Sequence, residues 1–111
     1  MAGFAATAVL AVLGVGMLAS AGDALSAEHV VEIKRFKFVP ATLNVRVGDT
    51  VTWINRDIAP HTATAKDKRW DTKQIRRKKS VALMVSKGMG GAYFCRYHPH
   101  MKGKLVIVGR Q

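Results

Sequence analysis

A chain with one cysteine cannot close a disulfide within itself, and Cys95 is the single cysteine among 111 residues. That absence excludes a disulfide-stapled scaffold and any zinc site built from several thiolates. Acidic residues are also scarce. Seven Asp and Glu stand against eighteen Lys and Arg, giving a formal net charge of +11. Such an excess predicts an acidic partner or surface. There is no internal repeat and no low-complexity segment. The apolar fraction of 49% and charged fraction of 23% suit a folded globular chain and exclude disordered, collagenous and coiled-coil classes. The length fits one domain.

Positive charge is absent from the start of the chain. No Lys or Arg precedes Lys34, and Phe4 to Ala21 is almost entirely Ala, Val, Leu, Gly and Met. An apolar stretch of about 18 residues lies between a signal-peptide core and a short membrane span. Small residues at Ala19-Ser20-Ala21 and Ser26-Ala27 offer cleavage sites, and position favours the one after Ala27. We read residues 1–27 as an export signal of bacterial type, which implies a periplasmic protein. An uncleaved membrane anchor is the rival, because no basic residue leads the apolar core. The remaining 28–111 carry all eighteen basic residues and six acidic ones. A domain that small often needs a staple, and without a disulfide a metal is the natural candidate.

From Glu28 onward the sequence reads as short strands with turn punctuation. Val30–Val39 is one apolar-weighted run closed by Pro40. Leu43, Val45 and Val47 alternate with Thr42, Asn44 and Arg46, a period of two with one face buried. Gly48-Asp49 marks a turn, and Thr50–Asn55 (TVTWIN) is β-branched and aromatic. Further strands are expected at His61–Ala65, Ser80–Val85, Ala92–Cys95 and Lys104–Val108, with Trp53 and Phe94 as core aromatics. No segment after residue 28 carries a helical stripe. The expected fold is all-β, a Greek-key sandwich or small barrel.

The chemistry concentrates in Cys95-Arg96-Tyr97-His98-Pro99-His100-Met101. A thiolate, an imidazole and a thioether stand at i, i+3 and i+6, and a further imidazole, His61, follows Pro60 upstream. Two His, one Cys and a weakly held Met are the ligand set of a type 1 (blue) copper site. The soft thiolate suits Cu(I), and imidazole suits both oxidation states. A loop that leaves one strand at Cys95 and returns at Lys104 can bring His98 and Met101 back to the cysteine. Taken alone, Cys95 would read as a small buried apolar residue; the spacing reverses that reading.

Val47-Gly48-Asp49-Thr50-Val51-Thr52-Trp53-Ile54-Asn55-Arg56 with Pro60-His61, and Cys95-x-x-His98-Pro99-x-Met101 with Gly103-Lys104, resemble the cupredoxins, and among them the amicyanin group. The resemblance covers about residues 30–65 and 92–108. It implies a copper-binding cupredoxin domain over 28–111 with His61, Cys95, His98 and Met101 as ligands and His98 as the electron entry and exit point. It also implies that Asn55 ties the His61 loop to the Cys95 loop by hydrogen bonds. Three features depart from the family pattern. Arg96-Tyr97 stands where small residues or Pro are expected, His100 replaces an apolar residue, and Lys66–Lys79 is unusually basic.

Lys66–Lys79 holds eight basic residues against two acidic ones. Its bland reading is a solvated face. At this density it can steer acidic redox proteins, such as a c-type cytochrome or a dehydrogenase. Nucleic acid fits the charge but not export, and no nucleic-acid motif is present. Membrane contact is expected only through an uncleaved N-terminal segment or anionic headgroups. His29 and His100 are read as exposed residues outside the ligand set, and Ala59, Pro60 and Pro99 as an apolar docking patch around His98. A four-ligand copper leaves no position for substrate, so the expected function is monomeric electron transfer, without enzyme activity. The rivals are a module for copper storage, delivery or sensing, and a metal-free adhesion sandwich.

Overall fold

The computed structural model describes residues 26–109, so residues 1–25 of the expected export segment lie outside the described residues. Eight strands follow in order: β1 (Glu28–Lys34), β2 (Lys37–Val39), β3 (Thr42–Val45), β4 (Thr50–Asn55), β5 (Thr64–Ala65), β6 (Ser80–Met84), β7 (Gly91–Phe94) and β8 (Lys102–Ile107). They form two four-stranded sheets, ordered β2-β1-β4-β6 and β3-β8-β7-β5. The chain crosses repeatedly from one sheet to the other, which makes β1–β4 and β3–β8 parallel pairs while neighbours such as β4–β6 and β7–β8 run antiparallel. The all-β sandwich expected from the strand pattern is what forms. Among the described residues there is no helix, and so none long and apolar enough to cross a membrane.

Side-chain alternation explains the layers. In β4, Val51, Trp53 and Asn55 point inward while Thr50, Thr52 and Ile54 are only partly covered. Val31 and Ile33 of β1 join them, and Val45, Tyr93 and Leu105 face them from the second sheet. Burial of each such side chain contributes roughly 1.5–3 kcal/mol. Trp53 Nε1 donates to Tyr93 Oη across the two sheets at 3.3 Å. Burial pushes the Tyr93 phenol up to about 12, with the Trp53 hydrogen bond working the other way. Tyr93 lies over Gly103, where any Cβ would run into its ring.

Four expectations change. Val30–Val39 is not one strand but a hairpin, because Arg35 and Phe36 both take positive φ (54° and 59°) and reverse the chain. Val47 falls outside β3 and is 55% exposed, since the chain already turns at Arg46–Asp49. Phe94 is only partly buried and Tyr93 takes the core position, a consequence of strand parity in β7. The expected strand His61–Ala65 shortens to Thr64–Ala65, with an isolated bridge pairing His61 to Ile75.

Lys66–Lys79 is likewise more than a solvated face. Its basic side chains are exposed, but Trp70, Thr72 and Ile75 turn inward. Trp70 packs 5.4 Å from both the Trp53 and Tyr93 rings and donates through Nε1 to the Met89 carbonyl at 3.1 Å. His29 is not freely exposed either; its Nε2 lies 2.8 Å from Asp49 Oδ2. Asp49 also accepts the amides of Ala27 and Arg46. Burial alone would raise the Asp49 carboxyl, but His29 and these amides hold it below the ordinary range.

Candidate metal centre

One end of the sandwich gathers side chains from two places. The segment after β4 delivers His61, and the loop between β7 and β8 delivers Cys95 and His98. His61 Nδ1 and His98 Nδ1 lie 3.7 and 3.6 Å from Cys95 Sγ. One ligand atom from each of the three residues lies within 4.8 Å of the others. Bonds of about 2.0–2.3 Å from such atoms to one ion span separations of this size. His61 and Cys95 are fully buried, whereas His98 is half-buried.

The loop from Cys95 to Met101 is held closed by its own backbone. Cys95 N donates to the Met101 carbonyl at 3.2 Å, Met101 N to the His98 carbonyl at 2.8 Å, and His98 N to the Cys95 carbonyl at 3.2 Å. Met101 is therefore held in the same loop, with its side chain 2% exposed. His100 is exposed, with its ring 6.5 Å from that of His98, outside the three-residue cluster.

Asp57 fixes how the buried imidazole is presented. Its Oδ2 lies 2.8 Å from His61 Nε2, which leaves the Nδ1 lone pair aimed at the cysteine side. Burial lowers the basicity of His61; Asp57 counters this, and nearby His98 adds to the lowering. Burial also works to raise the Asp57 carboxyl, but the amides of Phe36 and Arg35, together with His61, keep it below the usual range. The same amides bring Phe36 over the site, edge-on to the rings of His61 and His98 at 5.2 and 4.8 Å.

Asn55 does not tie His61 to the cysteine loop as the resemblance implied. Its Nδ2 donates to the Ala59 and Ile75 carbonyls, and its Oδ1 accepts from the Asp57 amide. It braces the turn that leads to His61 instead. The link to the cysteine loop is Thr62, whose amide lies 3.4 Å from Cys95 Sγ and whose hydroxyl accepts the Arg96 amide at 2.9 Å. Nothing in the spacing marked Thr62 or Phe36. A carboxylate four residues before a candidate ligand histidine was the one available signal, and it concerned Asp57 alone.

The basic segment reaches this same end. Ile75 exchanges both backbone hydrogen bonds with His61, and Asn55 pairs through its backbone with Lys78 and Lys79. Arg76–Lys79 is thus a tight turn beside the centre. The carboxylates of Glu32, Asp49, Asp57, Asp67 and Asp71 each pair with a basic side chain elsewhere, and none of them with Arg76, Arg77, Lys78 or Lys79.

A cysteine sulfur and two imidazoles brought together at one end of an all-β sandwich, with a buried methionine in the same loop, define a cupredoxin-type centre. The chain belongs to the cupredoxin-like family, whose domain matches residues 5–107. It is similar to amicyanin-alpha of Methylorubrum extorquens, with 30% identity over 112 residues, covering 96% of this chain and 92% of the relative. Amicyanin of Paracoccus denitrificans is 30% identical over 93 residues, covering 79% of this chain and 71% of the relative. Among solved structures, the reduced Cu(I) form of an amicyanin variant superposes with a TM-score of 0.65 at 31% identity, covering 73% of this chain and 82% of that one. A second amicyanin variant in the Cu(I) form gives a TM-score of 0.64 at 35% identity over the same shares.

Proposed function

We propose that this chain is a type 1 blue-copper protein that carries single electrons between larger redox proteins, with His61, Cys95, His98 and Met101 as the copper ligands. The observation that carries the reading is the convergence of Cys95 Sγ with two imidazole nitrogens at 3.6 and 3.7 Å. Copper, when bound, supplies a one-electron couple between Cu(I) and Cu(II). The protein contributes a donor set already assembled by its own hydrogen bonds, so little rearrangement accompanies the change of charge. With all four positions taken by side chains there is no place for a substrate, and the protein is a carrier without enzyme activity.

His98 is the partly exposed member of the trio and serves as the electron entry and exit point. Half-buried Ala59 with exposed Pro60 and Pro99 supplies an apolar surround, joined by Phe36 and Tyr97, whose rings lie 4.8 and 6.4 Å from that of His98. The partners are acidic redox proteins, such as a c-type cytochrome or a dehydrogenase, captured through the basic turn Arg76–Lys79. Residues 1–27 act as the export signal and 28–111 as the monomeric copper domain of a periplasmic carrier. Loading with Cu(II) tests the centre. An intense thiolate-to-copper charge-transfer band that Cys95→Ser abolishes is expected. A protein that binds Cu(I) tightly yet stays colourless with Cu(II) would instead be a copper storage or delivery module.

A further inference from the structure

Thr62, Thr64, Asp71 and Arg96 form a closed ring of hydrogen bonds around the backbone that carries the cysteine. The Arg96 amide donates to Thr62 Oγ1 at 2.9 Å. Thr62 Oγ1 and Thr64 Oγ1 are 2.9 Å apart, and Thr64 Oγ1 donates to Asp71 Oδ1 at 3.0 Å. Asp71 Oδ2 returns to the start through Arg96 Nη2 at 3.2 Å. The Lys73 amide, at 2.8 Å from Asp71 Oδ1, holds the carboxylate in place. Each hydroxyl has one proton. Because Thr64 gives its proton to Asp71, Thr62 must donate to Thr64 and accept from Arg96. Arg96 is therefore the donor at both ends and Asp71 the acceptor at both: one arm runs from the Arg96 amide through Thr62 and Thr64 to Asp71 Oδ1, and the other directly from Arg96 Nη2 to Asp71 Oδ2.

The ring joins three separate pieces of chain. Thr62 follows His61, Arg96 follows Cys95, and Asp71 comes from the basic segment. Thr62 and Thr64 are buried at 0% and 2% exposure, where neighbouring hydrogen bonds strengthen one another and an unpaired hydroxyl is costly. Thr62 also directs its amide at Cys95 Sγ. We propose that Thr62, Thr64, Asp71 and Arg96 act as positioning residues: they set the separation of Cys95 from His61 and hold a hydrogen-bond donor against the cysteine sulfur. A thiolate that accepts such a bond gives less charge to a bound metal, which favours the reduced ion. The ring thereby tunes the centre from the segment that also carries the basic turn. This inference rests on the copper reading for its redox consequence, but not for the ring itself.

The test uses Thr62→Val, which keeps the shape and removes the hydroxyl, Thr62→Ser, which restores it, and Asp71→Asn, which removes the ion pair. In the metal-free protein, Thr62→Val should speed hydrogen exchange at the Arg96 amide about tenfold, the effect of losing one hydrogen bond of roughly 1–1.5 kcal/mol. In the copper-loaded protein, Thr62→Val and Asp71→Asn should both lower the reduction potential and shift the charge-transfer band, while Thr62→Ser returns both to the wild-type values. If Thr62→Val does not fold, Arg96→Gln opens the ring from its solvent side and is read in the same way. Variants that lose thermal stability but keep the wild-type potential and band would overturn the proposal. A wild-type protein without a charge-transfer band would count against the copper centre alone. Unchanged Arg96 exchange in the variant would then overturn the ring.

Discussion

Asp57 accepts the Nε2 proton of His61 at 2.8 Å while also accepting the amides of Arg35 and Phe36 at 2.7 and 2.9 Å. One carboxylate therefore fixes both the tautomer of a buried imidazole and the hairpin that lays Phe36 against it. Asp57→Asn keeps a single acceptor oxygen for these three donors. Copper affinity should fall by about tenfold or more, the usual cost of losing a partner behind a ligand histidine. A competition titration against a chelator measures it. Affinity equal to wild type would mean that Asp57 only holds the hairpin.

Met101→Gln should retain copper and lower the reduction potential, because a harder oxygen donor favours Cu(II) over Cu(I). Protein-film voltammetry of the two proteins gives the comparison. An unchanged potential would remove Met101 from the ligand set.

The basic turn predicts a salt-sensitive encounter. Its field extends about 8–10 Å at physiological ionic strength, and charge of this kind acts mainly on the association rate. Raising salt to about 0.5 M should slow second-order electron transfer to an acidic partner roughly tenfold. Reversing Arg76, Arg77, Lys78 and Lys79 to Glu should give a similar loss at low salt with the copper spectrum intact. Rates that ignore those reversals with every acidic partner tried would leave docking to the apolar surround of His98.

Tyr93 gives the fold an alkaline limit. Its phenol titrates at about 12 in the folded protein against about 10 when unfolded, so the native state binds the proton more tightly. Its contribution is complete below about pH 10 and is lost as pH rises through about 12, at most roughly 2–3 kcal/mol. Tyr93→Phe should cost about 1 kcal/mol at neutral pH through the lost Trp53 bond. The variant should then decline less steeply between pH 10 and 12 in urea titrations. Parallel declines for the two proteins would refute this assignment.

The readable parts of the sequence were those governed by short-range pattern. TVTWIN alternates cleanly and forms β4 over Thr50–Asn55 as expected. Cys95 and His98 were visible because both ride on one short loop. The hairpin within Val30–Val39 was hidden because its turn residues are Arg35 and Phe36, and nothing in a bulky aromatic announces a positive φ. Tyr93 and Phe94 are adjacent aromatics, and only the register against β8 decides which one points inward. Thr62, Thr64 and Asp71 are ordinary polar residues whose partners lie on other segments, so no local spacing marks them. Long-range approach made them part of the site.

The four cations of Arg76–Lys79 also stand at the head of β6, a strand at the end of its sheet. β6 pairs with β4 along one side only, and its Ala82 and Met84 are exposed. An open strand of this kind is a template for pairing with a second chain. A second copy approaching it in parallel would have to bring its own cationic turn alongside this one. In antiparallel approach it would bring Lys87 instead, which lies just beyond the strand. Either arrangement sets like charges together as the backbones close. The residues proposed to attract an acidic partner to the metal end therefore also set a charge penalty against edge-to-edge pairing of two copies.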